Sequence, residues 1–421
     1  MLTSRPRGTA DIVPGQVEKW QYIESVAATV AGEYGYREVR TPIFEHTELF
    51  VRGVGEDTDI VEKEMYTFRD RGDRSITLRP ENTAAVVRAY LENNLYAGPQ
   101  PVKLYYVGPM FRYDRPQAGR LRQFHQFGVE LFGTHHPATD AEVMAMAMDF
   151  YSRLGLTGLE LHVNSVGCAH CRPVMRESLL NFFAPVYEEL CPNCQNRYRR
   201  NPLRLLDCKA ERCAALSHKA PTTADCLCDQ CRTHFDQVQR YMGDLGVHYV
   251  LDTRLVRGLD YYTHTAFEIM ASDIGAQSSI GAGGRYNGLI EAVGGAPAPG
   301  IGFALGLERI MLSMEKKDCF PKARPIPEVF LAVTGEHAGR EAFKLLAALR
   351  AANISADMDY QGRSLKAQMK HAGKLGVWYT VIIGQDELQR GCVALRDMAA
   401  GDQREIGISE LVSAIKSNRQ S

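Results

Sequence analysis

The chain has 421 residues, with 49 Lys+Arg against 50 Asp+Glu, a formal net charge of −1, 45% hydrophobic and 24% charged residues; this balance belongs to ordinary globular proteins and excludes a disordered polyelectrolyte. At roughly 100–200 residues per domain, two or three domains share the length, each able to bury a core without cross-links. Near-neutral charge excludes nonspecific nucleic-acid binding through bulk positive charge, though not through a local basic loop, and no apolar run is long enough to span a bilayer. The start, MLTSRPRGTADIVPG, lacks a signal peptide's hydrophobic stretch, so the expected compartment is the cytosol, with no membrane anchor.

Residues 16–34 are predicted as an amphipathic helix: Trp20, Ile23, Ala27 and Val30 recur at helical spacing, Pro14 precedes it and Gly35 follows as a stop. The stretch 36–42 then reads as extended, because the residue before Pro42 is pushed out of the helical region. Val102, Leu104 and Tyr106 alternate as in a strand, and a strand pattern resumes over 122–132 after the polar loop 114–119. Residues 300–305 read as a strand passing through Gly306, where glycine permits close backbone approach, into a helix over 307–314. A proline-rich joint at 320–327 places a domain boundary near 325. Beyond it, strands at 329–333, 354–358 and 379–383 alternate with helices at 337–351 and 365–375, the pattern of a small α/β domain.

Nine of the eleven cysteines fall between 168 and 231, which marks that segment as a separate module. In a reducing cytosol a disulfide framework is disfavoured, while Cys168-x2-Cys171, then 19 residues, then Cys191-x2-Cys194 has the spacing of a four-thiolate zinc site. Cys208, Cys213, Cys228 and Cys231 offer a second set, leaving Cys226 unassigned; the alternative for all of them is buried, redox-idle thiols. Four thiolates close the coordination shell, so such a metal is structural and activates no water.

Three segments stand out together: the helix and strand ending in Pro42, the strand–Arg-rich loop–strand containing Phe111-Arg112, and the strand–helix containing Gly306-Leu307-Glu308-Arg309. In this order they resemble motifs one, two and three of class II aminoacyl-tRNA synthetases. Leu255-Val-Arg-Gly-Leu-Asp-Tyr-Tyr262 and Gly281-Ala-Gly-Gly-Arg-Tyr-Asn-Gly-Leu289 further resemble the two histidine-specific signatures of the histidyl-tRNA synthetases. The resemblance runs from Arg7 through the C-terminal domain and is weakest across the cysteines. It implies an α+β fold: a class II antiparallel-sheet catalytic domain with an insertion, plus a C-terminal α/β anticodon-binding domain. The corresponding boundaries are 1–165 and 244–325 for the catalytic domain, 166–243 for the cysteine-rich insertion and 326–421 for the anticodon-binding domain. It also implies a homodimer built on motif one, and ATP-dependent ligation of L-histidine to tRNA(His) through a histidyl-adenylate, releasing AMP and diphosphate.

The residue types suit that chemistry. A carboxylate attacking the α-phosphate in line leaves pyrophosphate with growing negative charge, which fixed cations must stabilise, with Mg²⁺ accompanying ATP. Arg112, Arg257 and Arg309 come from distant segments, and their planar forks can clasp phosphate oxygens bidentately if they converge. Alone, each arginine reads as a solvated surface charge. The resemblance implies that Arg112 holds the α-phosphate and that Arg257 acts from the opposite side, as the leading catalytic candidate. It has Phe124 and Arg309 sandwich the adenine, with Arg120 also on ATP. A neutral imidazole offers one N–H donor and one bare acceptor; the resemblance gives these to Glu130 and Tyr262, with Tyr286 lining the pocket and Glu81, Thr83 and Gln126 holding the amino and carboxylate groups. Taken singly, either tyrosine reads as half-buried packing with a polar tip. The basic loop 113–120 suits guidance of a tRNA acceptor end through phosphate contacts, and the resemblance implies that Arg115 and Gln117 approach the first base pair and an extra 5′ guanosine. Two positions depart from the family pattern, Asn82 where glycine is common and Asn287 where Asp is usual, which puts local loop geometry in question.

Other readings remain. A regulatory paralogue that senses histidine for ATP phosphoribosyltransferase shares the core fold, but typically lacks intact histidine signatures and the C-terminal domain. A sibling ligase for glycine, proline, threonine or serine would leave Glu130 and Tyr262 with no imidazole to pair. A zinc-containing RNA-binding accessory protein is a third.

Overall fold

The computed structural model describes residues 3–56, 58–271, 279–321 and 326–418. The chain divides into two compact units, Met1–Phe320 and Pro321–Ser421; the boundary expected near 325 falls on 322–325, outside the described residues.

The first unit is built on an eight-stranded sheet with the edge-to-edge order Arg37–Glu38, Val102–Phe111, Gln123–Phe132, Gly300–Gly306, Ser279–Arg285, Thr263–Ala271, Leu159–Ser165, Val250–Leu251. Only the two edge pairings are parallel; the interior pairings are antiparallel. Its longest hairpin is the pair anticipated around the Arg-rich loop, and the first strand runs five residues past the expected end, to Phe111. Register there runs from Val102 opposite Phe132 to Phe111 opposite Gln123, so 112–122 form the connection at one end of the sheet.

Side-chain alternation sorts the two faces of this strand. Tyr105 and Val107 pack with Ile23, Ala27 and Val30 of the helix Val17–Glu33, with Met144, Ala147 and Phe150 of Ala138–Arg153, and with Ile310 of Leu307–Lys317. Each fully buried large apolar side chain there contributes roughly 1.5–3 kcal/mol. Leu104, Tyr106 and Met110 face the other way, toward Val86, Val87 and Tyr90 of the helix Thr83–Glu92. That second face carries the site. A smaller sheet, Phe44–His46, Ser75–Leu78 and Tyr66–Arg69, leaves Ile43, Phe44 and Phe68 exposed.

The cysteine-rich segment stays within the first unit, with a small core of its own formed by Met175, Leu179, Phe183 and Leu205. The second unit is a five-stranded sheet ordered Ala356–Met358, Val329–Val333, Tyr379–Ile383, Cys392–Asp397, Gln403–Gly407. Alternate residues of Val329–Val333 face opposite helices: Val329 and Leu331 meet Glu336–Ala351, while Phe330 and Ala332 meet Leu365–Leu375. This is the α/β alternation read from the sequence, extended by two antiparallel strands that it did not announce. Among the described residues, no helix is long and apolar enough to cross a membrane.

Candidate active site

Arg112, Arg257 and Arg309 all line one cavity of about 660 Å³, together with Arg120, Phe124 and Gln126. A smaller cavity of about 290 Å³ is lined by Glu81, Thr83, Gln126, Glu130, Tyr262 and Tyr286. Arg112, Arg120, Gln126 and Arg257 belong to both walls, so the two spaces adjoin.

Each arginine is anchored at the wall of the larger cavity. Arg112 Nε donates to Pro80 O at 2.7 Å, and its guanidinium lies 5.3 Å from the Phe124 ring centroid. Arg309 donates to the carbonyls of Ser279 and, at 3.4 Å, Gly119. Burial pushes both pKa values down without removing the charge. For Arg257 burial acts in the same direction, but Glu268, with Oε1 at 3.2 Å from Nη1, together with Tyr262 and Asp207 outweighs it and raises the pKa. Arg257 Nε and Gln126 Oε1 are buried with no protein hydrogen-bond partner. Native structures rarely leave such atoms unpaired, so the site is built to receive polar groups from a ligand.

The smaller cavity is set by Glu130. Its carboxylate accepts hydrogen bonds from Tyr286 and, at 3.5 Å, from Tyr106. Burial pushes its pKa up to about 8 against the lowering effect of these donors. Glu130 faces Gly302 across the strand pairing, and a Cβ at 302 would overlap both its Oε2 and the Val129 carbonyl. The close backbone approach expected at Gly306 therefore occurs at Gly302; a Cβ at 306 would meet nothing within 4 Å. Tyr262 is 8% exposed, and burial raises its pKa. Glu81 is committed locally: its oxygens accept the backbone N–H of Thr83 at 2.7 Å and Ala84 at 3.0 Å, capping the helix Thr83–Glu92.

Other expected residues lie elsewhere. Arg115 and Gln117 are exposed in the loop beyond Arg112 and line neither cavity; Gln117 and Arg120 close a tight turn through reciprocal backbone bonds of 3.0 and 2.9 Å. Arg285, inside the second signature, turns away from the pocket and is fully buried against Asp140, with Nε at 2.9 Å from both carboxylate oxygens. Asn82 has φ −116° and needs no glycine; its Oδ1 accepts from Thr41 Oγ1 at 2.7 Å. Asn287 leaves Oδ1 buried and unpaired, with its backbone N–H on Thr263 Oγ1 at 3.2 Å.

Sequence reasoning missed Tyr106, which strand alternation presents only as an apolar position, and Glu268, whose signal appears only once its neighbour Arg257 is folded beside it. It also missed Asp207 and Lys209, which bring the insertion to the wall of the larger cavity.

The expected quartet Cys168, Cys171, Cys191 and Cys194 does not form. Thiols instead converge as Cys168, Cys171, Cys228 and Cys231, and as Cys191, Cys194, Cys208 and Cys213, with ligand atoms within 4.8 Å of one another in each group. The reason is the helix Cys171–Phe183: its 13 residues carry the chain ~20 Å along its axis. Adjacent CxxC pairs are thereby separated, while Cys228 and Cys231 return to the helix's start. Either quartet has the donor set of a structural metal site.

The family model described as Histidyl-tRNA synthetase matches residues 8–171 and 190–310, and the one described as Anticodon binding domain matches 328–418. Among curated proteins, the chain is 64% identical over 416 residues to a histidine–tRNA ligase of Pelotomaculum thermopropionicum, covering 99% of this chain and 98% of that one. It is also 64% identical over 417 residues to a histidine–tRNA ligase of Desulforamulus reducens, covering 99% of each. Among solved structures, the apo histidyl-tRNA synthetase of S. aureus superposes with a TM-score of 0.84 at 43% identity, covering 98% of this chain and 99% of that one.

Proposed function

The chain belongs to the histidyl-tRNA synthetase family, and on that premise we propose that it joins L-histidine to tRNA(His) through a histidyl-adenylate, releasing diphosphate and then AMP. The observation that carries this reading is the shared wall: Arg112, Gln126 and Arg257 border both the arginine-lined cavity and the Glu130–Tyr262 pocket. A carboxylate held at that wall reaches an α-phosphate held on its other side.

In the first step an oxygen of the histidine carboxylate bonds to the α-phosphorus and the bond to the bridging oxygen of pyrophosphate breaks. Arg112 and Arg257 bracket the phosphorus and stabilise its charge with planar forks. Phe124 and Arg309 stack on adenine, and Arg120 supports the phosphates. Glu130 accepts the imidazole N–H, Tyr262 bonds the other ring nitrogen, and Tyr286 fixes Glu130. Gln126, with its unpaired oxygen, suits the substrate ammonium; Glu81, tied to its helix, shapes the amino-acid site together with Thr83. In the second step the terminal ribose hydroxyl of tRNA attacks the activated carbonyl and AMP leaves, with Arg115 and Gln117 on the acceptor end.

Mg²⁺ fits as a metal carried in by ATP: Asp207 and Glu268 add hard oxygen donors to the wall, and when bound it neutralises the β- and γ-phosphates. Zinc at the two thiolate quartets belongs to the same reading as a structural metal. So do a homodimer through the helix and strand of motif one, anticodon binding by 326–421, a catalytic domain split into 1–165 and 244–325 around the insertion 166–243, and work in the cytoplasm. The histidine-sensing regulatory alternative is not favoured, since the relatives over the full length are ligases.

ATP–pyrophosphate exchange assayed with each amino acid tests the assignment. Exchange with histidine alone is expected; exchange with another amino acid, or with none, overturns it.

A further inference from the structure

Residues 252–262 contain neither helix nor strand, yet they carry Arg257 and Tyr262. This segment is walled by open space on two sides: the 290 Å³ pocket in front and a second cavity of about 470 Å³ behind, bordered by Arg172, Val256, Leu259 and Asp260. Its side chains pack forward and sideways, Val256 with the core of the insertion, Leu259 with Phe50 and Tyr261 with Tyr286, and its backbone is tethered besides. Arg172, adjacent to Cys171, donates Nη2 to Asp260 O at 2.9 Å and also to Tyr262 O. Val166 N donates to His264 O at 2.7 Å, and His264 N returns the bond to Gly167 O at 2.8 Å. Cys231 Sγ lies 3.5 Å from His264 Nδ1. All these contacts come from the frame that surrounds Cys168, Cys171, Cys228 and Cys231.

The sulfurs in that frame are spaced for a metal. Cys168 Sγ stands 3.7 Å from Cys171 Sγ and 3.9 Å from Cys228 Sγ. A tetrahedron with Zn–S bonds of ~2.3 Å has edges of ~3.8 Å, whereas a disulfide requires ~2.05 Å. Cys228 N donates to Cys171 Sγ at 3.2 Å, a contact that favours the thiolate needed for coordination. The two CxxC pairs enter from opposite ends of the insertion. A metal at these four sulfurs would cross-link the two pairs where packing of their helices leaves only thiol–thiol contact.

On the reading that this chain binds histidine in the Glu130–Tyr262 pocket, we propose that zinc at Cys168, Cys171, Cys228 and Cys231 is a positioning device for histidine recognition. It holds Arg172 and the Val166–Gly167 backbone against residues 260–264. If the frame loosens, the segment relaxes into the rear cavity and Tyr262 leaves the ring. Arg172 is a positioning residue in this scheme.

The test uses the full-length enzyme purified without chelator, Arg172→Ala and Cys228→Ser, with zinc content and steady-state pyrophosphate exchange measured on each. Wild type and Arg172→Ala carry zinc at this quartet, and Cys228→Ser loses about one ion per chain. Both variants raise KM for histidine by about tenfold, within the usual range for coupled sites, while KM for ATP stays within about twofold. Should Cys228→Ser fail to fold, equilibrium competition for zinc with a chromogenic chelator replaces it: histidine tightens zinc binding to wild type, and does so far less in Arg172→Ala, as reciprocity of binding free energies requires. An unchanged histidine KM in Arg172→Ala, or wild type without zinc here, overturns the proposal. Wild type that exchanges only with another amino acid overturns the histidine reading instead, and is recognised separately because zinc content is measured on the same sample.

Discussion

Glu130 and Gly302 sit directly opposite each other on neighbouring antiparallel strands, and the absent side chain at 302 is what makes room for the carboxylate. Gly302→Ala should therefore displace Glu130 or bend the strand, because the Val129 carbonyl blocks the other way out. Overpacking of this kind costs about 1–3 kcal/mol, and histidine binding should be lost before the fold is. Calorimetric titration with histidine, alongside thermal unfolding, checks it; a Gly302→Ala enzyme that binds histidine like wild type would refute the pocket geometry.

The raised pKa of Glu130, about 8, has two consequences. In the free protein the folded state keeps a proton that the unfolded chain loses between the ordinary carboxylate value and 8, so stability declines with rising pH across that window and levels off above it. When a neutral imidazole docks, its N–H bonds more strongly to an ionised carboxylate than to a protonated one, so docking should drive Glu130 to release its proton. Titrations at pH 7 in buffers of different ionisation enthalpy should show about one proton released per histidine, with affinity rising up to tenfold per pH unit until about pH 8. Zero net release would mean that the proton stays between carboxyl and ring, and Glu130 as an ionised acceptor of a neutral imidazole would fall.

Arg257 has its charge secured by Glu268 and its Nε unpaired. Arg257→Lys keeps a cation but loses the fork. The maximal rate of pyrophosphate exchange should fall by roughly 10²–10³, as when one preorganised transition-state donor is removed, with KM for ATP altered much less. A lysine variant within threefold of wild type would show that charge alone suffices.

Arg285 and Asp140 are both 0% exposed. Burial pushes the Asp140 carboxyl up, but hydrogen bonding to His234 and the charge and hydrogen bonds of Arg285 outweigh it and leave its pKa lowered. The pair thus stabilises the fold above the ordinary carboxylate range, and that contribution disappears as pH falls through the lowered value. Asp140→Asn strands a buried guanidinium and should destabilise the first unit by about 3–5 kcal/mol at neutral pH. Chemical denaturation followed through Trp20, which lies in that unit, measures the loss; a change below 1 kcal/mol would contradict it.

Much of this arrangement was legible because it obeys simple periods. Val102, Leu104 and Tyr106 alternate cleanly, and the helix and strands beyond 328 sit within a few residues of their expected limits. The strand Ser279–Arg285 is harder to read: its glycines at 281 and 283 are demanded by neighbours, Leu305 and Phe267, that the sequence places far away. Gln403–Gly407 is an exposed edge with one buried residue, Ile406, and so has no alternation to detect. The cysteine grouping failed for a different reason. CxxC spacing specifies pairs, but which pairs share a site depends on where the intervening helix points.

Tyr286 bonds the pocket carboxylate on one side of the sheet while its neighbour Arg285 is sunk into Asp140 on the other. A slip of this strand by a single residue would exchange those destinations, sending a guanidinium into a cavity shaped for a neutral ring and abandoning an aspartate in the dry interior. Misregistered chains are thus penalised twice by adjacent residues, so the segment that recognises the substrate also proofreads its own assembly.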